Sequence, residues 1–216
     1  MALQNRPQFI LIDSRETSDP ELQRYFGMLS QDEQQHAKKY QHPLSQTLFI
    51  LTRGKLREWL GGALNLMPDQ VALSTHPHGK PYLSAPLEHS LYFNISHSHH
   101  HGIIALSKTS EIGVDIEVQR SMPNALELAK RFFHPDEVSH LAALSNTQRS
   151  IDFLKLWTYK EACLKASGEG IATHLGSFSA LPLLTHTAHT GAVLWRNITC
   201  YSLDTPSELY GAWAQV

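Results

Sequence analysis

Ile112-Gly113-Val114-Asp115-Ile116-Glu117-Val118 alternates glycine or acidic residues with aliphatic ones, the period-two pattern of a β-strand. Gly113, Asp115 and Glu117 therefore share one face, and Val114, Ile116 and Val118 the other. Two carboxylates point the same way. Close together they repel and raise one pKa unless a cation or hydrogen bonds compensate, and an oxygen-only ligand set suits Mg²⁺. A half-exposed strand with a solvated polar face has the same pattern, so the pair needs corroboration from elsewhere in the chain.

Working outward, residues 91–96 and 102–107 read as two strands joined by a His-rich bend, and 9–13 as a buried strand at the start. Helices are predicted at 20–28, 124–133 and 136–144, the last with Pro135 at its N-terminal edge. The clearest ones are 45–60, where Leu48, Phe49, Leu51, Leu56, Trp59 and Leu60 recur at helical spacing before a Gly61-Gly62 stop, and 151–166, ended by Ser167-Gly168-Glu169-Gly170. His78-Gly79-Lys80-Pro81-Tyr82 is turn chemistry. Strand-like runs at 178–184, 192–202 and 209–216 close the chain. Each half thus offers helices and short strands, which predicts an α+β (mixed α/β) fold rather than a bundle or an all-β sandwich. A boundary near 108–112 divides the chain into 1–110 and 111–216. No linker composition separates them, so the halves should pack tightly around a crevice fit for a ligand.

With 216 residues and 42% hydrophobic content, the chain can bury a core. Eighteen Lys plus Arg against twenty Asp plus Glu give a net charge of −2, which lacks the basic excess of general nucleic-acid binding. Any anion site must be local. Two cysteines, Cys163 and Cys200, are too few for a disulfide scaffold or a thiolate zinc site, and a reducing, cytoplasmic setting is expected. No secretory leader is evident, nor a run of about 18 apolar residues for a membrane span. Fourteen histidines invite a metal reading, but His99, His100 and His101 are consecutive and no His-Glu-x-x-His or Cys-x-x-Cys accompanies them. They are read as a polar bend, as are His76 and His78. No Gly-x-Gly-x-x-Gly, P-loop or Gly-x-Ser-x-Gly is present, which removes dinucleotide reduction, P-loop hydrolysis and α/β-hydrolase chemistry.

In Phe153-Leu154-Lys155-Leu156-Trp157-Thr158-Tyr159-Lys160-Glu161-Ala162-Cys163-Leu164-Lys165, Glu161 and Lys165 lie about 40° and 80° round from Trp157, at the margin of the apolar stripe, where they can face a cleft. An exposed i,i+4 pair fits the same spacing. Asn94-Ile95-Ser96-His97-Ser98 sets a hydroxyl and an imidazole at a strand end, where His97 serves either an anion or the structure alone. Lys80 and Arg53 are candidate phosphate contacts or plain surface charges.

In order, Gly79-Lys80-Pro81, Phe93-Asn94-Ile95-Ser96-His97-Ser98, Ile112-Gly113-Val114-Asp115-Ile116-Glu117, Arg131-Phe132-Phe133 and Trp157-Thr158-Tyr159-Lys160-Glu161-Ala162-Cys163-Leu164-Lys165 resemble the Sfp-type 4'-phosphopantetheinyl transferases over residues 29–180. The resemblance implies two similar, pseudo-symmetric halves with coenzyme A in the cleft between them. It implies transfer of the phosphopantetheine arm to a serine of an apo acyl or peptidyl carrier protein, releasing adenosine 3',5'-bisphosphate. By motif position Asp115, Glu117 and Glu161 match the Mg²⁺ ligands, with Mn²⁺ as a substitute, and Lys165 the lysine on the pyrophosphate. Ser96, His97 and Lys80 match the adenine and 3'-phosphate contacts, Arg53 an arginine used for this in some members, and Lys160 the cofactor-side lysine before the metal-binding glutamate. Glu161 is the first choice to take the serine proton, with metal-bound hydroxide as the rival.

There are departures. Ser30-Gln31-Asp32-Glu33-Gln34-Gln35-His36 carries acids and amides where some relatives place lysines, so Lys38, Lys39 or Arg53 is expected to substitute. Because carriers are acidic and the net charge is not positive, a local docking surface is expected from Arg120, Met122, Lys130, Arg131 and Phe132. One chain can build both walls of the cleft, which implies a monomer. The competing readings are a Mg²⁺-dependent phosphohydrolase and a catalytically silent module that binds the carrier or sequesters coenzyme A.

Overall fold

Two antiparallel sheets, each backed by one long helix, form the frame. A computed structural model describes residues 6–77, 79–85, 91–169, 174–185 and 191–216. The first sheet has the order β1-β5-β4, from β1 (Gln8–Asp13), β4 (Tyr92–Ser98) and β5 (His101–Ser107). Its helices are α1 (Asp19–Gly27), α2 (Gln31–Ala37) and α3 (Pro43–Leu64), and a small ribbon of β2 (Leu73–Thr75) and β3 (Pro81–Leu83) lies beside it. The second sheet has the order β6-β9-β8-β7, from β6 (Ile112–Val118), β7 (Ala192–Trp195), β8 (Ile198–Ser202) and β9 (Leu209–Gln215). Its helices are α4 (Ala125–Phe132), α5 (Pro135–Ala142), α6 (Asn146–Ser167) and the short α7 (Leu181–Leu184). The fold is α+β, and α3 and α6 are each 22 residues long. Among the described residues no helix is long and apolar enough to cross a membrane.

Several expectations are corrected by local physics. The helix over 45–60 does not stop at Gly61-Gly62. It runs to Leu64 and ends at Asn65, which takes the left-handed conformation with φ 55°. Gly61 instead makes room for the chain as it folds back, since a Cβ there would lie 2.7 Å from the Leu66 carbonyl oxygen. The strand expected at 178–184 is absent; Pro182 cannot donate to a ladder and sits in the first turn of α7. The run 192–202 is two strands joined by Arg196-Asn197, both at positive φ, a tight hairpin turn. His101 does not belong to the polar bend: it opens β5 and is buried, while the turn is made by His99 and His100. His78 and Gly170, the last residue of the 167–170 stop, lie outside the described residues. Helix α2, nucleated by a capping box between Ser30 and Glu33, was not expected.

The two sheets meet where β4 and β5 face β6, over Ile103, Ala105, Ile112, Val114 and Ile116. β6 pairs with β9 along one edge. On its other side Val114 N–H donates to Asn94 Oδ1 at 2.9 Å and Val118 N–H to Ser98 Oγ at 3.1 Å. Side chains of β4 thus satisfy donors that would otherwise be buried unpaired. On the far face β6 packs directly on the backbone of α6. A Cβ at Gly113 would stand 2.0 Å from the Ala162 carbonyl oxygen and 2.4 Å from Ala166 N, so glycine is what lets the strand and the helix approach. That approach sets the distance between Asp115 and the last turns of α6.

Candidate active site

Asp115 lies at the centre of the site, 5% exposed. Its Oδ1 accepts hydrogen bonds from Ser96 Oγ and Lys165 Nζ, both at 2.6 Å. Its Oδ2 is buried with no hydrogen-bond partner. The Lys165 ammonium also donates to Ser96 Oγ at 3.2 Å and stands 3.8 Å from Glu161 Oε2, so it bridges the strand carboxylate and the helix carboxylate. Three elements, β4, β6 and α6, therefore bring Ser96, Asp115, Glu161 and Lys165 together. Glu117 stands on the same face of β6, held by Ser98 Oγ at 2.9 Å and by Arg120 Nη1 at 2.6 Å.

The electrostatics follow from burial. Loss of water pushes the Asp115 carboxyl up, opposed by the Lys165 charge and by the hydrogen bonds from Lys165 and Ser96, and reinforced by Glu117. Burial likewise lifts Glu161 to about 7, again opposed by Lys165 and reinforced by Asp115 and Glu117. Two acids that resist ionisation thus surround one ammonium. Among the described residues no three His, Cys, Asp or Glu side chains are clustered as a ready-made metal site. The donor set nevertheless fits a hard divalent cation: three carboxylates, all oxygen, with one buried oxygen of Asp115 unused.

Strand alternation sends Ser96 and His97 to opposite sides of β4. Ser96 meets Asp115, while the exposed His97 faces a cavity of about 730 Å³ that Arg53 also lines. His36, Tyr40, Phe49, Thr52 and His99 complete much of that wall. Arg53 is largely buried and 3.8 Å from Glu33. Thr52 Oγ1 is buried there without a hydrogen-bond partner. His36, Tyr40 and Thr52 were not singled out from the sequence; Tyr40 lies beyond the end of α2, and its ring meets that of His36 at 5.4 Å. Lys38 and Lys39 do not line the cavity; Lys38 Nζ lies 5.9 Å from the Phe26 ring.

Two expected cofactor contacts are placed elsewhere. Lys160 is fully buried on the far side of α6, 2.9 Å from Glu137 Oε2, and donates to the carbonyls of Leu175 and Phe178. One residue is about 100° of helix, which turns Lys160 inward as Glu161 turns to the cleft. Lys80 is 11% exposed and its ammonium is taken up by Glu111 and by two carbonyls at the junction of β6 and α6. It does not line the cavity holding Arg53 and His97. Of the expected docking residues, Lys130 and Arg131 are exposed at the end of α4, Arg131 lying over the Phe132 ring at 4.9 Å. Arg120 and Met122 border a separate groove of about 440 Å³ beside the start of α6.

Residues 111–207 match the model of the 4'-phosphopantetheinyl transferase superfamily, and residues 15–109 match that of the 4'-phosphopantetheinyl transferase N-terminal region. A Synechocystis sp. protein that bears the transferase name provisionally is 40% identical over 156 residues, 72% of this chain and 63% of its own. The 4'-phosphopantetheinyl transferase HetI of Nostoc sp. is 40% identical over 155 residues, 71% of this chain and 65% of its own. The matched stretch thus spans just under two thirds of the length of these two relatives. The 4'-phosphopantetheinyl transferase Sfp of Bacillus subtilis is 32% identical over 165 residues, 76% of this chain and 71% of its own. By these matches the chain belongs to the 4'-phosphopantetheinyl transferase family.

Proposed function

We propose that the protein transfers the 4'-phosphopantetheine group of coenzyme A to a serine hydroxyl of an apo acyl or peptidyl carrier protein, releasing adenosine 3',5'-bisphosphate. The observation that carries this is the meeting of Asp115, Glu161 and Lys165 across β6 and α6, with one Asp115 oxygen buried and unused. Residues 1–110 supply the nucleotide cavity and residues 111–216 the acidic centre and its helix.

Asp115, Glu117 and Glu161 would hold Mg²⁺, with Mn²⁺ as a substitute. Such an ion supplies charge stabilisation to a diphosphate whose oxygens gain charge as the phosphorus–oxygen bond to the leaving nucleotide breaks. Lys165, now paired with Asp115, supplies a second positive charge to the same diphosphate, at a point where water is scarce and the interaction is strong. Glu161, beside Lys165 in that centre, would accept the serine proton, directly or through a water. Arg53 and His97, facing one cavity, hold the 3'-phosphate end of the nucleotide, and Ser96 fixes the Asp115 carboxylate. The exposed Lys130 and Arg131 with Phe132 offer a basic and apolar surface for an acidic carrier, and Arg120 with Met122 in the separate groove would add to the docking contacts. A single chain builds the acidic centre from β4, β6 and α6, so a monomer suffices for the reaction.

The test is incubation with coenzyme A, Mg²⁺ and a panel of apo carriers, followed by intact-mass measurement. The expected result is a mass increase of one phosphopantetheine group on at least one carrier, located on serine. Consumption of coenzyme A with unmodified carriers would assign the site to hydrolysis instead.

A further inference from the structure

The Lys80 side chain reaches from the turn before β3 to the other half of the molecule. Its Nζ donates to Glu111 Oε2 at 2.6 Å, to the Lys165 carbonyl at 2.8 Å and to the Ile112 carbonyl at 3.2 Å. These acceptors mark two ends: Glu111 and Ile112 lead into β6, and Lys165 lies in the last turn of α6. The last four carbonyls of a helix have no partner within it. In α6 the Gly168 N–H and the Ser167 hydroxyl both donate to the Leu164 carbonyl, and the Glu169 N–H turns to Ser167 Oγ. Lys80 therefore satisfies the Lys165 carbonyl from outside, and places a positive charge at the negative end of the helix dipole.

We propose that Lys80 is a positioning residue for the transfer reaction: it clamps the end of α6 to the start of β6 and thereby fixes the reach of the Lys165 ammonium to Asp115. This rests on the transfer function proposed above, but the clamp itself is separable from it. The same two elements carry the 2.6 Å contact between Lys165 Nζ and Asp115 Oδ1. A shift of about 1 Å in a catalytic group can cost on the order of a hundredfold in rate. A lysine that held the nucleotide would act on coenzyme A affinity; a clamp acts on turnover.

The experiment compares wild type, Lys80→Met and Lys80→Arg by steady-state transfer to an apo carrier and by amide hydrogen exchange. Methionine keeps the length and removes every donor; arginine keeps the charge and the donors. In Lys80→Met kcat should fall at least about tenfold while the KM for coenzyme A stays within about twofold, the pattern of a loss confined to the transition state. The preference for coenzyme A over its 3'-dephospho form should not change, amides in residues 163–169 should exchange at least about tenfold faster, and Lys80→Arg should recover most of kcat. A raised KM with unchanged kcat and a lost preference for the 3'-phosphate would overturn the proposal in favour of nucleotide binding. Unchanged exchange in residues 163–169, or a general rise in exchange with kcat intact, would also overturn it. If wild type modifies no carrier, the transfer function fails, and the exchange comparison alone decides whether Lys80 holds α6.

Discussion

Lys160→Met is expected to lower stability by about 3 to 5 kcal/mol, because it strands a buried carboxylate. Lys160 and Glu137 are both fully buried, and their 2.9 Å ion pair lies under Phe178 and Phe133, whose rings are 4.3 and 5.4 Å from the ammonium. The network is complete on each side. Lys160 donates to the Leu175 and Phe178 carbonyls, while Glu137 accepts from Ala180 N–H at 2.7 Å and from His134 N–H at 3.0 Å. Burial pulls the lysine down from its ordinary pKa, and Glu137 opposes that. Removing only the cation leaves Glu137 in a dry site with no countercharge. For a chain of this length the melting temperature should fall by about 10 °C. Lys160→Met combined with Glu137→Gln should recover at least half of the loss, since no net charge is then buried. Urea unfolding of the two variants checks this, and a single variant within about 1 kcal/mol of wild type would contradict it.

Asp115→Ala is expected to lower kcat about a thousandfold or more, with the fold retained. Groups that stabilise transition-state charge cost about 10² to 10³ when one is removed. Asp115 also organises its neighbours: Ser96 and Lys165 both bond to its Oδ1. Stability should not suffer in proportion, because burial already disfavours this carboxylate's ionised form. Intact-mass rates and a melting curve separate the two effects. A rate within tenfold of wild type would remove Asp115 from the site.

The acidic centre was legible because it rests on local periods. Alternation along Ile112–Val118 sets Asp115 and Glu117 on one face with Gly113, and the turn of the 151–166 helix sets Glu161 and Lys165 at the edge of the apolar stripe. Lys160 sits in the same motif as Glu161, and the motif assigns it to the cofactor. Which way a helix faces is decided by what packs on it, here Glu137 of α5 and the carbonyls of Leu175 and Phe178. The partners of the Lys80 side chain were hidden for the same reason: its acceptors are 31, 32 and 85 residues away in the chain. Composition in the 30–36 segment hid a helix whose Glu33 serves its cap and the buried Arg57, rather than solvent. Strand propensity at 178–184 lost to Pro182 and to the need of Lys160 for nearby carbonyls.

Asp115, Glu117 and Glu161 are proposed to hold one divalent cation together. Titration of Mn²⁺ into the protein with coenzyme A, followed by electron paramagnetic resonance, tests it most directly. The ion binds the ionised carboxylates, so protons compete with it. With Glu161 raised to about 7, affinity should climb as pH rises from about 5 to 7 and level off above that. Mg²⁺ should displace the Mn²⁺, and Asp115→Ala and Glu161→Gln should each weaken binding at least about tenfold. Affinity equal to wild type in both variants would show that no ion is held between β6 and α6.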